Sequence, residues 1–548
     1  MPSSTLRRAV LPLCLSLAAS LAVAAEPSPA IDATRLADHI RTLASDDFEG
    51  RAPNTPGEAK TIAYIGEQFA NAGLTPAGDD GWLQAVTLVR SEIQGDVQAS
   101  LRSGGDTRSL ANGDDIAVES LHPAERVDLR DVPVVFAGYG VTAPELDWDD
   151  YAGLDVRDKL VVVLINDPDF EAGEGRFGGR AMTWYGRWPY KYAEAARRGA
   201  AGVLIVHEDE PAAYPWATVR NGRAGPQLDI VREDPAEHHL RMRGWIQREQ
   251  AVKLFADTGL DFDALKTRAQ THGFRGFELD DTTLSIAFDV AHDRIRTHNV
   301  AGLLPGATRP DETVIVSAHW DSFGINQEGA VMPGAVDNAS AVASVIELAR
   351  TLAAGPAPER SLLFLALTAE ESGLLGAHHY TAHPLRPLET TAAVINMEMW
   401  SPDGPTHDIS SWGIGKVSLE RDLADAAQAA GRVWSPDPNL EAGFFHRADH
   451  FAFAQAGVPA ITVGPGMDQR DGGTAGGEAA RAAYFAHRYH QPTDGFDDSW
   501  DMRGPAEDTL VVQGLVRAVA DAADWPAWDD DSEFRARRVE SDAARGVH

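Results

Sequence analysis

Apolar and polar positions along this chain change rhythm three times, and the changes mark its organisation. Over residues 31–78 apolar residues recur at helical spacing at both ends of a polar loop. Ile62, Ile65 and Phe69 fall on one helix face, and Gly73 follows as a stop signal. Residues 84–130 read as short strands and turns. From Val132 the texture changes: Val134–Gly140 is a strand ending in glycines, Lys159–Ile165 a second strand, and Gly202–Val206 a third. A helical segment, Tyr192–Arg198, precedes the third strand. From Asn299 strands and helices alternate, the signature of a doubly wound α/β domain with a mostly parallel sheet. The strands are Thr313–Ser317, Ser361–Ala369, Ala392–Ile395 and Pro459–Gly464. A helix after Asn338 carries Val342, Val345, Ile346, Ala349 and Leu352, and a last helix carries Val512, Leu515, Val516 and Val519.

The run Ser361–Ala369 is almost wholly apolar or small and ends on Glu370-Glu371. A continuous apolar run is the pattern of a strand buried on both faces. Two adjacent carboxylates at its end would repel each other in a dry site, and bound cations would compensate them. Ligands of such sheets bind at the carboxyl ends of the strands. A solvated strand end explains a lone Glu-Glu equally well. Other strand ends decide between the readings, because His319, Asp337, Glu371, Glu398 and His490 follow successive elements in order. Nitrogen and carboxylate donors without thiolate suit zinc, with cobalt or manganese as alternatives. Five donors exceed the needs of one tetrahedral ion, so two ions sharing a bridging carboxylate fit better.

The first residues carry a different signal. Arg7 and Arg8 precede an apolar run from Ala9 to Val23, and Ala22-Val23-Ala24 offers a cleavage site, the plan of a secretory signal peptide over 1–24. This predicts an exported protein, periplasmic or secreted. Leu11-Pro-Leu-Cys14 has the outline of a lipid-attachment box, but the apolar run continues past Cys14, against that reading. Cys14 is the only cysteine, so the mature chain has no disulfide to draw on. No later segment reaches the roughly 18 apolar residues of a membrane span. Lys+Arg number 48 against 82 Asp+Glu, a net charge of −34. So acidic a surface argues against nucleic acid and anionic membranes as partners. With 548 residues the chain has room for two or more domains. The aromatic cluster Trp184, Tyr185, Trp188, Tyr190 and Tyr192 reads either as a domain-interface core or as a wall over a substrate cleft.

Several of these segments together support a resemblance. Ala318–Ser322, Gly334–Asn338, Ala369–Gly376, Asn396-Met-Glu398, Arg447–His450 and Tyr489-His490 resemble, in order, the motifs of the di-zinc exopeptidases of metallopeptidase family 28. That family includes secreted aminopeptidases and glutamate carboxypeptidases. Ser45–Arg51 resembles its opening segment, and residues 132–210 resemble its inserted protease-associated domain. The resemblance implies a catalytic domain over 31–115 and 291–526 and a smaller α/β insertion over 116–290; the acidic composition of residues 527–548 predicts a flexible tail. The resemblance implies one zinc held by His319 and Glu398, the other by Glu371 and His490, and Asp337 bridging. It further implies Glu370 as general base, Asp321 as the carboxylate fixing the His319 tautomer, and Tyr489 as oxyanion donor. Arg447, Asp449 and His450 would touch a peptide substrate. His378, His379 and His383 are expected on a helix surface. One departure stands out: the position of Glu398 is usually aspartate in the family, and the extra methylene moves the carboxylate by about one bond length. The implied activity is removal of N-terminal residues, with carboxypeptidase or dipeptidase action on the same site as the alternative. A non-catalytic, receptor-like relative should have lost ligands or base, and this chain keeps them all.

Overall fold

The computed structural model describes residues 30–326, 328–530 and 532–545. The segment expected to be a signal peptide, residues 1–24, lies outside the described residues. Four parallel strands form the centre of the catalytic half: Ala460–Pro465, Thr391–Met397, Arg309–His319 and Arg360–Leu367, in that spatial order. Every residue of Arg360–Leu367 is buried, as its unbroken apolar run requires. Helix Ser340–Ala353 is buried nearly all round, so Val342, Val345, Ile346, Ala349 and Leu352 form only part of its contact surface. Helix Pro56–Asn71 carries Ile62, Ile65 and Phe69, and starts with Thr55 as N-cap and proline in the first turn.

A second set of parallel strands, Arg126–Phe136, Leu160–Leu164, Gly202–His207 and Met242–Gln247, carries its own apolar clusters built from residues 101–290. The two sets belong to one sheet. Strand Phe277–Leu304 pairs antiparallel with Arg360–Leu367 on the catalytic side and with Arg126–Phe136 on the other. The expected boundary at residue 290 therefore falls inside a continuous strand. Residues 84–130 also differ from the short strands expected of them, because Leu83–Ser103 is one long strand paired along Phe277–Leu304. Its outer half is polar, which hid its continuity from a reading based on apolar runs.

The tail expectation is overturned. Helix Arg503–Asp521 is followed by another, Arg535–Ala544. Trp528 and Phe534 are buried in the catalytic core, and Trp528 Nε1 donates to the Gly457 carbonyl at 3.0 Å. The acidic residues between them conceal two aromatic anchors. No helix among the described residues is long and apolar enough to cross a membrane.

Candidate metal centre

Each expected ligand lies at or just beyond a strand end, or in a loop facing those ends. His319 is the last residue of Arg309–His319, and Glu398 follows Met397 directly. Glu370 and Glu371 come shortly after Leu367. Asp337 precedes helix Ser340–Ala353, and His490 follows helix Gly473–His487. Local backbone pays for this convergence: Ala369, Met399 and His490 all have positive φ, at 52°, 50° and 57°. The left-handed region costs a non-glycine residue about 1–2 kcal/mol, so strain collects where the ligands are aimed. Gly334, φ 53°, leads into the Asp337 turn, where a Cβ would sit 2.3 Å from the Asp337 carbonyl oxygen.

Asp337 lies between the two histidines. Its Oδ1 stands 3.2 Å from His319 Nε2 and its Oδ2 3.3 Å from His490 Nε2. Glu398 Oε2 is 3.4 Å from His319 Nε2, and Glu371 Oε2 is 3.3 Å from His490 Nε2. Donor atoms of His319, Asp337 and Glu371 lie within 4.8 Å of one another, as do those of His319, Glu370 and Glu398. Burial and the charges of Asp337 and other neighbours hold Glu371 well above the ordinary carboxylate range. Burial likewise raises Glu370, with Glu371, Glu398 and Asp449 adding to the effect. Glu371 Oε1 and both oxygens of Asp449 are buried without a hydrogen-bond partner. Buried carboxylates gathered without cations are costly. This donor set, with acceptor oxygens left over, fits divalent metal ions.

Asp321 differs from its expected role. Its carboxylate Oδ1 is 3.6 Å from His319 Nδ1, too far for a hydrogen bond, whereas its backbone carbonyl is at 3.1 Å. The carbonyl therefore orients the imidazole. The carboxylate accepts the backbone N–H groups of Glu370 and Glu371 at 3.1 and 3.3 Å. Asp449 is fully buried close to His319, Glu398 and Asp321. His450 is no substrate contact: it is buried, its Nδ1 is 2.6 Å from Thr462 Oγ1, and its ring meets Phe445 edge-on at 4.7 Å. The start of helix His450–Gln455 turns it inward, toward strand Ala460–Pro465. Arg447 lies over the Phe444 ring and makes no ion pair among the described residues. Tyr489 stacks on His490 with ring centroids 3.7 Å apart, and burial beside Asp337 and Glu371 holds its hydroxyl well above the ordinary phenol range. His378 and His379 are partly buried on helix Leu375–Ala382 and His383 is exposed, apart from the ligand cluster.

Four supporting residues were missed. Asn338 Nδ2 donates to Glu398 Oε2 at 2.5 Å and Asn396 Nδ2 to Glu398 Oε1 at 3.1 Å, so amides hold both oxygens. Asn396 sits two residues before Glu398 at a strand end, the spacing that shares a face, and that signal was legible. Asp494, pushed up to about 7 chiefly by burial, accepts the N–H groups of Val336 and Asp337. Arg51, fully buried in the segment Ser45–Arg51, donates to the carbonyls of Leu43, Trp320, Pro333 and Gly334. It thereby ties the His319 and Asp337 loops to the N-terminal helices. The aromatic cluster is a join: Trp184 packs on Phe451 at 4.9 Å, while Tyr192 lies in the core of the inserted half.

Residues 299–511 match the family profile described as Peptidase family M28. Aminopeptidase YwaD of Bacillus subtilis is 33% identical over 105 residues, covering 19% of this chain and 22% of the relative. Aminopeptidase NAALADL1 of Mus musculus is 36% identical over 117 residues, covering 20% and 15%. The chain thus spans less than a quarter of the length of these relatives. In three dimensions an aminopeptidase from Aneurinibacillus sp. strain AM-1 superposes with a TM-score of 0.51 at 19% identity. That match covers 90% of this chain and 97% of the other, and establishes the fold.

Proposed function

We propose that the chain, whose residues 299–511 match the profile of peptidase family M28, is an exported zinc exopeptidase that releases N-terminal residues from peptides. His319 and Glu398 would hold one zinc, Glu371 and His490 a second, and Asp337 would lie between them. The observation that carries this reading is the placement of Asp337, one oxygen toward each histidine, at 3.2 and 3.3 Å. Zinc supplies Lewis-acid polarisation of a peptide carbonyl and neutralises the gathered carboxylates.

The chain's own residues supply the rest. Glu370 Oε2 stands 3.9 Å from His319 Nε2 and is left over once the ligands are assigned. Burial and its carboxylate neighbours raise its proton affinity, which suits a group that takes a proton from the attacking water and passes it to the leaving amine. The Tyr489 hydroxyl, kept protonated by burial and by the acids around it, is available to donate to the oxygen that becomes negative. Asp321 fixes the backbone from which Glu370 and Glu371 project. The buried acids, Asp449 among them, favour a substrate ammonium over a substrate carboxylate near the ligands.

The test compares the zinc-loaded protein on alanine p-nitroanilide, which has a free amine, with an N-acetylated peptide bearing a free carboxylate. Cleavage of the anilide is expected. Cleavage of the blocked peptide alone would replace the aminopeptidase reading with a carboxypeptidase, and cleavage of neither would remove the peptidase reading.

A further inference from the structure

Four of the five expected ligands are almost fully buried, and the fifth is not. The side chains of His319, Glu398, Asp337 and Glu371 are 1, 3, 8 and 9% exposed, whereas that of His490 is 35% exposed. The elements that deliver them account for the difference. His319 ends a strand whose last residues are buried, and Glu398 follows a strand buried throughout. His490 follows helix Gly473–His487, of which only Gly477 is buried. A helix with so little buried surface is a loose support for a ligand. A metal-binding imidazole is ordinarily oriented by a hydrogen bond from its other nitrogen. His319 has one, its Nδ1 lying 3.1 Å from the Asp321 carbonyl. His490 Nδ1 has none among the described residues, while its Nε2 faces Asp337 and Glu371.

Two aromatic rings take the place of that bond. Tyr489 stacks on the imidazole at 3.7 Å between centroids, 26° from parallel, and Phe323 meets it at 4.5 Å, 54° from parallel. Phe323 reaches His490 from a fixed base. Arg51 fastens both ends of the loop that carries it, donating to the carbonyls of Trp320 and Pro333 at 2.8 and 2.6 Å. The next residue, Gly324, packs so closely on the Ser45–Arg51 segment that a Cβ on Gly50 would stand 2.4 Å from its carbonyl oxygen. Phe323 itself is 41% exposed, so the core does not account for its ring; the contact with His490 does.

Resting on the two-zinc reading above, we infer that Phe323 is a positioning residue for His490: its ring limits the rotation of the imidazole and so sets how tightly Glu371 and His490 hold their zinc. His319 and Glu398 need no such brace. The Asp321 carbonyl orients the first, and the amides of Asn338 and Asn396 hold the second. The two metal positions therefore differ in kind, one fixed by hydrogen bonds inside the core and the other by ring packing near the surface.

Calorimetric titration of the metal-free full chain with zinc tests this. The wild type is expected to take up two ions. Phe323→Ala should weaken the uptake of one by about tenfold to a hundredfold and leave the other unchanged. Phe323→Tyr keeps the ring and should retain the wild-type affinity; Phe323→Leu keeps bulk without a flat face and should not. A double-mutant comparison assigns the affected ion. In a His490→Ala background, which lacks the braced ring, Phe323→Ala should have no further effect on the remaining zinc. Loosening of that remaining zinc, equal loosening of both ions, or no loosening of either by Phe323→Ala overturns the inference and leaves the two-zinc reading intact. Uptake of a single ion by the wild type instead removes the two-zinc reading, and the inference with it. If Phe323→Ala does not fold, Phe323→Leu decides on the same criteria.

Discussion

Asp321 Oδ1 accepts the backbone N–H of Glu370 at 3.1 Å, joining the ends of two neighbouring parallel strands. Its other oxygen takes the N–H of Glu371. One carboxylate thus fixes the chain positions of both the expected base and an expected ligand, while its own backbone carbonyl orients His319. Asp321→Ala would leave two amides without an acceptor and free the Glu370-Glu371 turn. Removing a residue that orients ligands weakens metal binding by about 10–100-fold, and competition with a chelator measures it. Unchanged affinity would mean that the turn is held by other contacts.

Glu370 is expected to move a proton and not to bind metal. Glu370→Gln keeps the shape and removes the basic oxygen. Turnover should fall by about 10²–10⁴-fold, with the zinc content per chain unchanged by elemental mass spectrometry. Loss of zinc in step with activity would recast Glu370 as a ligand.

Glu398 differs from the aspartate usual in the family it resembles, and its surroundings fit the longer side chain. Asn338 and Asn396 each donate to one of its oxygens. Glu398→Asp withdraws the carboxylate by about 1.5 Å from both amides. Zinc affinity is therefore expected to drop by about tenfold or more in calorimetric titration, although aspartate is the commoner residue. Tighter binding by the aspartate variant would show that the two asparagines do not set the carboxylate position.

The gathering of His319, Asp337, Glu371 and Glu398 was legible because each lies close to an element whose own pattern announces it, whereas His490 follows helix Gly473–His487, which the apolar pattern did not announce. A buried parallel strand has an unbroken apolar run, and its end is where chemistry collects. What escaped were contacts between residues distant in sequence. Trp184 and Phe451 meet only because the inserted half folds back on the catalytic half. His450 shares a motif with Arg447 and Asp449, yet helix geometry sends its ring toward Phe445 and Thr462. The direction in which Asp321 turns its carboxylate depends on the neighbouring strand end, not on its own segment.

The tail was misread for a related reason, since its charges outnumber its two anchors. Trp528 is 3% exposed and packs on Phe534 at 5.0 Å between ring centroids. Trp528→Ala should cost about 3–5 kcal/mol of stability, read as a lower urea midpoint. A midpoint unmoved by the substitution would return residues 527–548 to the status of a loose extension.

His450 carries an acid sensitivity into the core beside the metal centre. It is fully buried, and burial alone pushes its pKa down to about 3. An ordinary histidine, as in the unfolded chain, titrates near 6.5. Between these values the unfolded state holds a proton that the native state refuses, so falling pH favours unfolding. The contribution of a neutral His450 is complete above pH ~6.5 and is lost progressively as the pH falls toward about 3. His450→Asn keeps a polar group near Thr462 and removes the titration. The stability of the variant, from urea unfolding at a series of pH values, should fall less steeply between pH ~6 and ~4, by up to about 1.4 kcal/mol per pH unit. Parallel curves for wild type and variant would show that His450 accepts its proton without unfolding, and so that the ring can reach solvent or a counter-charge in the native state.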